Sequence, residues 1–341
     1  MATFDVVFEG GGAKGVALSG AVSALLGRGH GLGRLVGTSA GAITATNLAV
    51  GFTPEEILEG SMVRTPSGAP IYTTFSDTPV LTEEEIRRSG LFHVLTHLPM
   101  VPQLVLLTEE GGMHRGDGFV TWMRGCLESR GAGLGTATLS ELHAHTGKDL
   151  SMVATDTTDH RMLVLNHRTA PGLPVVWAVR MSMSIPFYWT EMIWDPAWGR
   201  YLDRDIAGHA IVDGGVVSNF PLFLLADPDD DEVISWMGTV PRDQRNEVVG
   251  LYLDATLPVP GAAPGKPPPK LQGRISALLD TLMDARDNAA FDLHADAVIR
   301  LPVQGYGTTE FDMDEARVRA LYDGAAAAAD AWLDHRASRR T

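Results

Sequence analysis

The 341-residue chain has a single cysteine, Cys126, which excludes an internal disulfide framework and any multi-cysteine zinc or iron–sulfur centre. Basic residues are few: 27 Lys and Arg stand against 42 Asp and Glu, a net charge of −15. That balance argues against nucleic acid as a partner and against function driven by attraction to anionic membrane. No apolar run approaches the ~20 residues of a bilayer-spanning helix. The first ten residues lack a basic stretch followed by an apolar one, and Asp5 falls where the apolar part of a secretory leader would lie. These absences lead us to expect a cytoplasmic protein whose contact with a membrane, if it makes one, is peripheral.

What is present is an ordinary globular mixture, 45% apolar and 20% charged, with enough length for one large α/β domain or two modest ones. The first fifty residues read as two strand–turn–helix units. Phe4–Phe8 is a short β-rich run ending in Gly10-Gly11-Gly12, followed by a helix over Val16–Leu26. Leu32–Val36 is a second strand, followed by a sharp corner and an Ala/Thr-rich helix over Ala42–Val50. This order implies parallel pairing through right-handed crossovers, hence an α/β sheet. Residues 52–116 carry six prolines that break any long element and read as less regular, with a helix start at Thr82–Glu85 and an apolar stretch at Leu91–Leu107. Further on, the pattern predicts a helix over Gly118–Arg130. Strands follow at Leu150–Thr155, Met162–Leu165, Ala210–Val212, Val248–Leu253 and Ala297–Leu301, with helices over Leu271–Ala295 and Asp314–His335. The proline-rich segment Pro258–Lys270 has strand-like segments on both sides, so it reads as a surface excursion of one sheet in one domain, residues 1–341.

Three short motifs carry chemistry. Gly10-Gly11-Gly12-Ala13-Lys14-Gly15 satisfies G-x-G-x-x-G between a strand and a helix. A dinucleotide site also needs an acid ~20 residues on, and every residue from Gly10 to Pro54 is neutral or basic. A phosphate-binding Walker loop fails as well, because Lys14 is followed by Gly15. A plain tight turn remains open. So does a loop of backbone N–H groups facing a negative charge. Gly37-Thr38-Ser39-Ala40-Gly41 is a G-x-S-x-G at a strand-to-helix corner. There the positions two before and two after a strained nucleophile approach too closely for a Cβ, which suits Gly37 and Gly41. The alternative is a helix-capping serine.

A serine hydroxyl needs a base. The histidines after Ser39 (at 93, 97, 114, 143, 145, 160, 167, 209, 294 and 335) have no distinctive flanks, and His143-Ala144-His145 at helical spacing do not share a face. Asp213 is better placed, since the apolar run Ile211-Val212 delivers it into Gly214-Gly215 at a strand end. Asp-Gly-Gly alone is equally good hairpin chemistry.

In this order the three motifs resemble the patatin-like family of lipid acyl hydrolases, whose pattern is G-G-G-x-[KR]-G, G-x-S-x-G and D-G-[AG]. Val153–Asp156, Ser182–Pro186 and Asn219-Phe220-Pro221 are similar to its secondary stretches, and the resemblance spans about residues 4–255. It implies a three-layer α/β/α fold with a mostly parallel sheet and a Ser39–Asp213 dyad without histidine. It also implies an oxyanion hole from the amides of Gly11, Gly12 and Ala13, with Lys14 ordering the loop. An acyl-enzyme of this kind requires no metal or cofactor, and the expected partner is lipid, contacted transiently at a membrane surface.

Residues 52–116 form a variable insert outside the motifs. Leu91–Leu107 is a candidate acyl-channel wall or lipid-facing cap, or else plain core. The acidic run Asp227–Glu232 reads as a solvated loop. The competing readings are a Ser–Asp/Glu–His hydrolase using His294 or His335, a dinucleotide-binding protein using Gly10–Gly15, and a non-catalytic relative.

Overall fold

The computed structural model describes residues 1–76, 106–107, 110–262 and 294–340. In chain order the main elements begin with β1 (Thr3–Phe8), α1 (Val16–Gly27), β2 (Gly31–Thr38), α2 (Ala40–Ala49) and α3 (Pro54–Met62). There follow β3 (Gly112–His114), α4 (Asp117–Arg130), α5 (Leu139–Thr146), β4 (Leu150–Asp156), β5 (Arg161–Leu165) and α6 (Val175–Ser182). Next come β6 (Phe187–Trp189), β7 (Met192–Ile193), β8 (Ala210–Asp213), α7 (Phe223–Ala226) and α8 (Asp231–Met237). The described chain closes with β9 (Glu247–Pro258), β10 (Val298–Gln304) and α9 (Glu315–Arg340).

One sheet has the order β10-β9-β1-β2-β4-β8-β7, with β5 paired to the other edge of β4. The run from β10 to β4 is parallel throughout, whereas β5, β7 and β8 are antiparallel to their neighbours. Strand alternation sorts the core into two layers. Val6 and Phe8 point into the larger cluster with α1, α2 and α9. Val7, Val36 and Val153 point the other way, onto Phe220–Met237. Each such side chain fully removed from water contributes about 1.5–3 kcal/mol, so both faces are firmly covered. The result is the expected three-layer α/β/α arrangement with a mostly parallel sheet.

Three local differences from the sequence pattern have physical causes. Pro54, read as one of the prolines that break elements in residues 52–116, is instead the first residue of α3, where its missing N–H costs nothing. Thr53 and Glu56 close a reciprocal capping box there. Helix α6 is only eight residues long and is buried on nearly every side, Arg180 and Ser182 included, too short a run for helical periodicity to mark. The acidic run is not simply a solvated loop, because Asp230 accepts the amides of Glu232 and Val233 and starts α8.

Strands β9 and β10 are adjacent and parallel, so the proline-rich segment lies within a crossover of one sheet. Residues 263–270 of it, the helix start at Thr82–Glu85, Leu91–Leu107 apart from Leu106 and Leu107, and the predicted helix as far as residue 293 lie outside the described residues. Among the described residues no helix is long and apolar enough to cross a membrane.

Candidate active site

Ser39 ends β2 and opens α2 with φ 52° and ψ −119°, a backbone conformation unfavourable for any residue with a Cβ. The glycines on either side make this turn feasible. A Cβ on Gly37 would lie 2.4 Å from the backbone of Gly41, and one on Gly41 would lie 2.2 Å from the Phe8 carbonyl. The corner is pinned from β4: the Ser182 hydroxyl donates to the Val153 carbonyl at 2.6 Å and accepts the Ser39 amide at 3.0 Å. The Ser39 carbonyl accepts the amides of Ala42 and Ile43, so the helix begins directly behind the serine.

Asp213 arrives at the end of β8 and is almost completely buried. Its amide donates to the Ser184 carbonyl and its carbonyl accepts the Thr155 hydroxyl, which fixes the backbone. Oδ1 accepts the Gly215 amide at 2.7 Å, an internal cap of the turn that follows. Oδ2 is buried without a well-aligned partner. Burial pushes the Asp213 pKa up to about 7, against smaller downward pulls from the Gly215 amide and the Ser39 hydroxyl. The carboxyl is thus poised near neutrality with one oxygen open beside the serine.

The glycine loop lies against the same point. A Cβ on Gly10 would come 3.2 Å from that of Ser39. The Gly10 amide donates to the Asn219 carbonyl, and the Asn219 amide group donates to the Gly10 carbonyl and to Glu9 Oε1. Glu9, buried beneath the loop, also accepts the Leu253 amide through Oε2. Gly12 adopts φ +54° beneath the Thr308 carbonyl. The Gly11 and Gly12 amides have no acceptor among the described residues. The Ala13 amide does: it donates to the Thr308 carbonyl at 2.9 Å, so the expectation that it is free for an oxyanion is corrected. Lys14 sits in the single 3-10 turn that continues into α1, with its amide on the Gly11 carbonyl, and Gly15 packs against Ala40.

No described histidine hydrogen-bonds to Ser39 or Asp213. His209 is held by Asp156 at 2.9 Å, His143 stacks on His167 at 3.7 Å, His294 lies 3.6 Å from Asp227, and His335 is on α9. Burial lowers the His167 pKa to about 4. Asp156, Asp159 and His209 converge closely enough for a metal. However, Asp159 binds Arg204, and Asp156 Oδ1 accepts the amides of Thr158 and Asp159. These groups tie the β4–β5 turn to the start of β8.

A cavity of about 120 Å³ opens at Ser39, walled by Ala13, Ile43, Phe75, Phe119, Trp122 and Met183 among others. Sequence reasoning missed this cavity because α3, α4 and the Ile71–Phe75 turn approach α2 only in three dimensions. Ser182, Asn219 and Asp156 do fall in stretches singled out from the sequence.

The strained serine corner, the buried carboxyl, the two loop amides without acceptors and the apolar cavity lie together around Ser39. The patatin-like phospholipase family model matches residues 6–226, and the chain belongs to that family of lipid acyl hydrolases. The uncharacterized protein YqhO of Bacillus subtilis (strain 168) is 29% identical over 94% of each chain. Among solved structures, VipD of Legionella pneumophila aligns with a TM-score of 0.47 at 18% identity, over 97% of this chain and 67% of that one. ExoU of Pseudomonas aeruginosa, in its complex with SpcU, aligns with a TM-score of 0.48 at 17% identity, over 98% of this chain and 53% of that one. The chain therefore spans about half the length of ExoU.

Proposed function

We propose that the protein hydrolyses acyl ester bonds of phospholipids or lysophospholipids through a Ser39–Asp213 dyad. The observation that carries this reading is the open, buried Oδ2 of Asp213 beside a serine held at positive φ. Ser39 Oγ attacks the ester carbonyl carbon while Asp213 Oδ2 takes its proton. The oxyanion receives the Gly11 and Gly12 amides, and a single donor of this kind is worth about 2.7–4 kcal/mol. Collapse breaks the ester C–O bond, and Asp213 returns the proton to the departing alcohol, leaving an acyl-Ser39. Water then attacks the acyl carbon with Asp213 again as base. The acid is released and Ser39 regains its proton.

The apolar cavity beside Ser39 suits the acyl chain, and the net charge of −15 makes apolar contact the driving force at a lipid surface. The test is hydrolysis of p-nitrophenyl esters and fluorogenic phospholipids by wild type, Ser39→Ala and Asp213→Asn. Ser39→Ala should fall to background and Asp213→Asn by roughly 10²–10⁴-fold, with both variants folded. Activity that survives Ser39→Ala would remove the nucleophile and with it this reading.

A further inference from the structure

The wall of the cavity formed by α2 is a single helical face that starts at the nucleophile: Ala40, Ile43, Thr44 and Asn47, at spacings of three and four. Three of these are apolar or already satisfied, since the Thr44 hydroxyl donates to the Ala40 carbonyl. Two further polar side chains on the lining are also paired. Ser61 binds the Ile57 carbonyl and the Tyr72 hydroxyl, and Glu56 binds Arg130 and the Thr53 amide. Asn47 differs. It lines the cavity, it is only 5% exposed, and its Oδ1 is enclosed with no hydrogen-bond partner. A buried amide left unpaired is costly, and a leucine of similar size would remove the cost, so the position calls for a ligand group.

We infer that Asn47 is a specificity-determining residue that selects acyl chains bearing a hydroxyl on their distal part. This rests on the ester-hydrolase reading of Ser39 and refines it. A hydroxyl can accept from Nδ2 or, with the amide turned about, donate to Oδ1, so either orientation of the side chain offers it a hydrogen bond. The distance follows from the helix: seven residues beyond Ala40, Asn47 lies ~10 Å along the axis from the nucleophile's end of the wall. A hydroxyl next to the carboxyl does not reach it. One near the end of a medium-length chain does.

The test reads binding directly, through quenching of Trp122 and Trp189, which both line the cavity. Decanoate, β-hydroxydecanoate and ω-hydroxydecanoate are titrated into wild type, Asn47→Leu and, in case leucine crowds the cavity, Asn47→Ala. Wild type should bind the ω-hydroxy acid roughly five- to tenfold more tightly than decanoate, the effect of one hydrogen bond, and show no such preference for the β-hydroxy acid. Both Asn47 variants should lose the preference. Asn47→Leu should melt no lower than wild type, because it removes an unpaired buried acceptor. Equal binding of decanoate and its ω-hydroxy form by wild type would overturn the assignment, and so would a preference that persists in both variants. Selective binding without hydrolysis of any ester would instead uphold Asn47 and overturn the hydrolase reading.

Discussion

Ser39 and Asp213 meet because β2 and β8 run toward each other along one edge of β4. Thr38 pairs with Val153, and Asp213 pairs with the next residue, Ala154. The opposite edge of Met152–Asp156 is occupied by β5, so β2 and β8 must share the remaining one. Two collinear strands arriving head to head must both turn away at the junction. One turn is the strained corner at Ser39, and the other is the Gly214–Val216 turn capped by Asp213. The proposed nucleophile and base therefore sit at neighbouring positions of a rigid central strand despite their separation in sequence.

The elevated pKa of Asp213 has opposite consequences for activity and stability. A carboxyl whose folded pKa lies near 7 is protonated in the native state where the unfolded chain has already ionised. Stability therefore falls as pH rises from the ordinary carboxylate value through about 7. The ionised form is the base, so kcat/KM should rise with pH through the same region. Asp213→Asn removes the ionisation. Its melting temperature should exceed that of wild type at pH 8 by several °C, on the order of 2–4 °C per kcal/mol, and converge toward wild type below pH 5. Thermal melts across this pH range check it, and an equal offset at all pH values would contradict the assigned pKa.

Ser182 links the sheet to the serine corner through one hydroxyl, donating to Val153 and accepting from Ser39. Ser182→Ala leaves the Val153 carbonyl and the Ser39 amide without that partner. We expect a stability loss of about 1–3 kcal/mol and a fall in kcat of roughly tenfold, with KM little changed because the cavity is untouched. Denaturant melts and steady-state kinetics on a chromogenic ester measure both. A rise in KM alone would place Ser182 in binding instead.

How far the site could be read from the sequence depends on how local each constraint is. The corner at Ser39 was legible because Gly37 and Gly41 answer a steric demand made within five residues. Asp213 was legible as a carboxylate at a strand end before a glycine turn, but its burial was not, since its environment depends on β4, which is distant in sequence and antiparallel to β8. The commitment of the Ala13 amide to Thr308 could not be read at all, because Thr308 comes from the segment after β10. The same holds for Asn47: helical spacing places it in line with Ser39, but whether its amide is paired depends on α3, α4 and the turns that wall the cavity. At the level of the fold, the run of strand and helix patterns sufficed for an α/β sheet. Helix α6 escaped because eight residues are too few for helical periodicity to stand out.

Gly12 combines the two demands that only glycine meets, a φ of +54° and close approach to another backbone. A Cβ there would lie 2.1 Å from the Thr308 carbonyl oxygen, so Gly12→Ala must push the loop away from its seat. The same displacement carries off the two unpaired amides and releases the Ala13–Thr308 hydrogen bond. Loss of oxyanion donors should lower kcat/KM by roughly 10²–10³-fold. Backbone strain alone would also destabilise the protein, so a control is needed at a glycine of the same handedness outside the site. Gly51, with φ +93° and open space within 4 Å of where a Cβ would stand, supplies one. Gly51→Ala should cost about 1 kcal/mol of stability and leave kcat/KM unchanged. If Gly12→Ala behaves like Gly51→Ala, losing stability but keeping its rate, the glycine loop is a structural turn and the oxyanion must be held elsewhere.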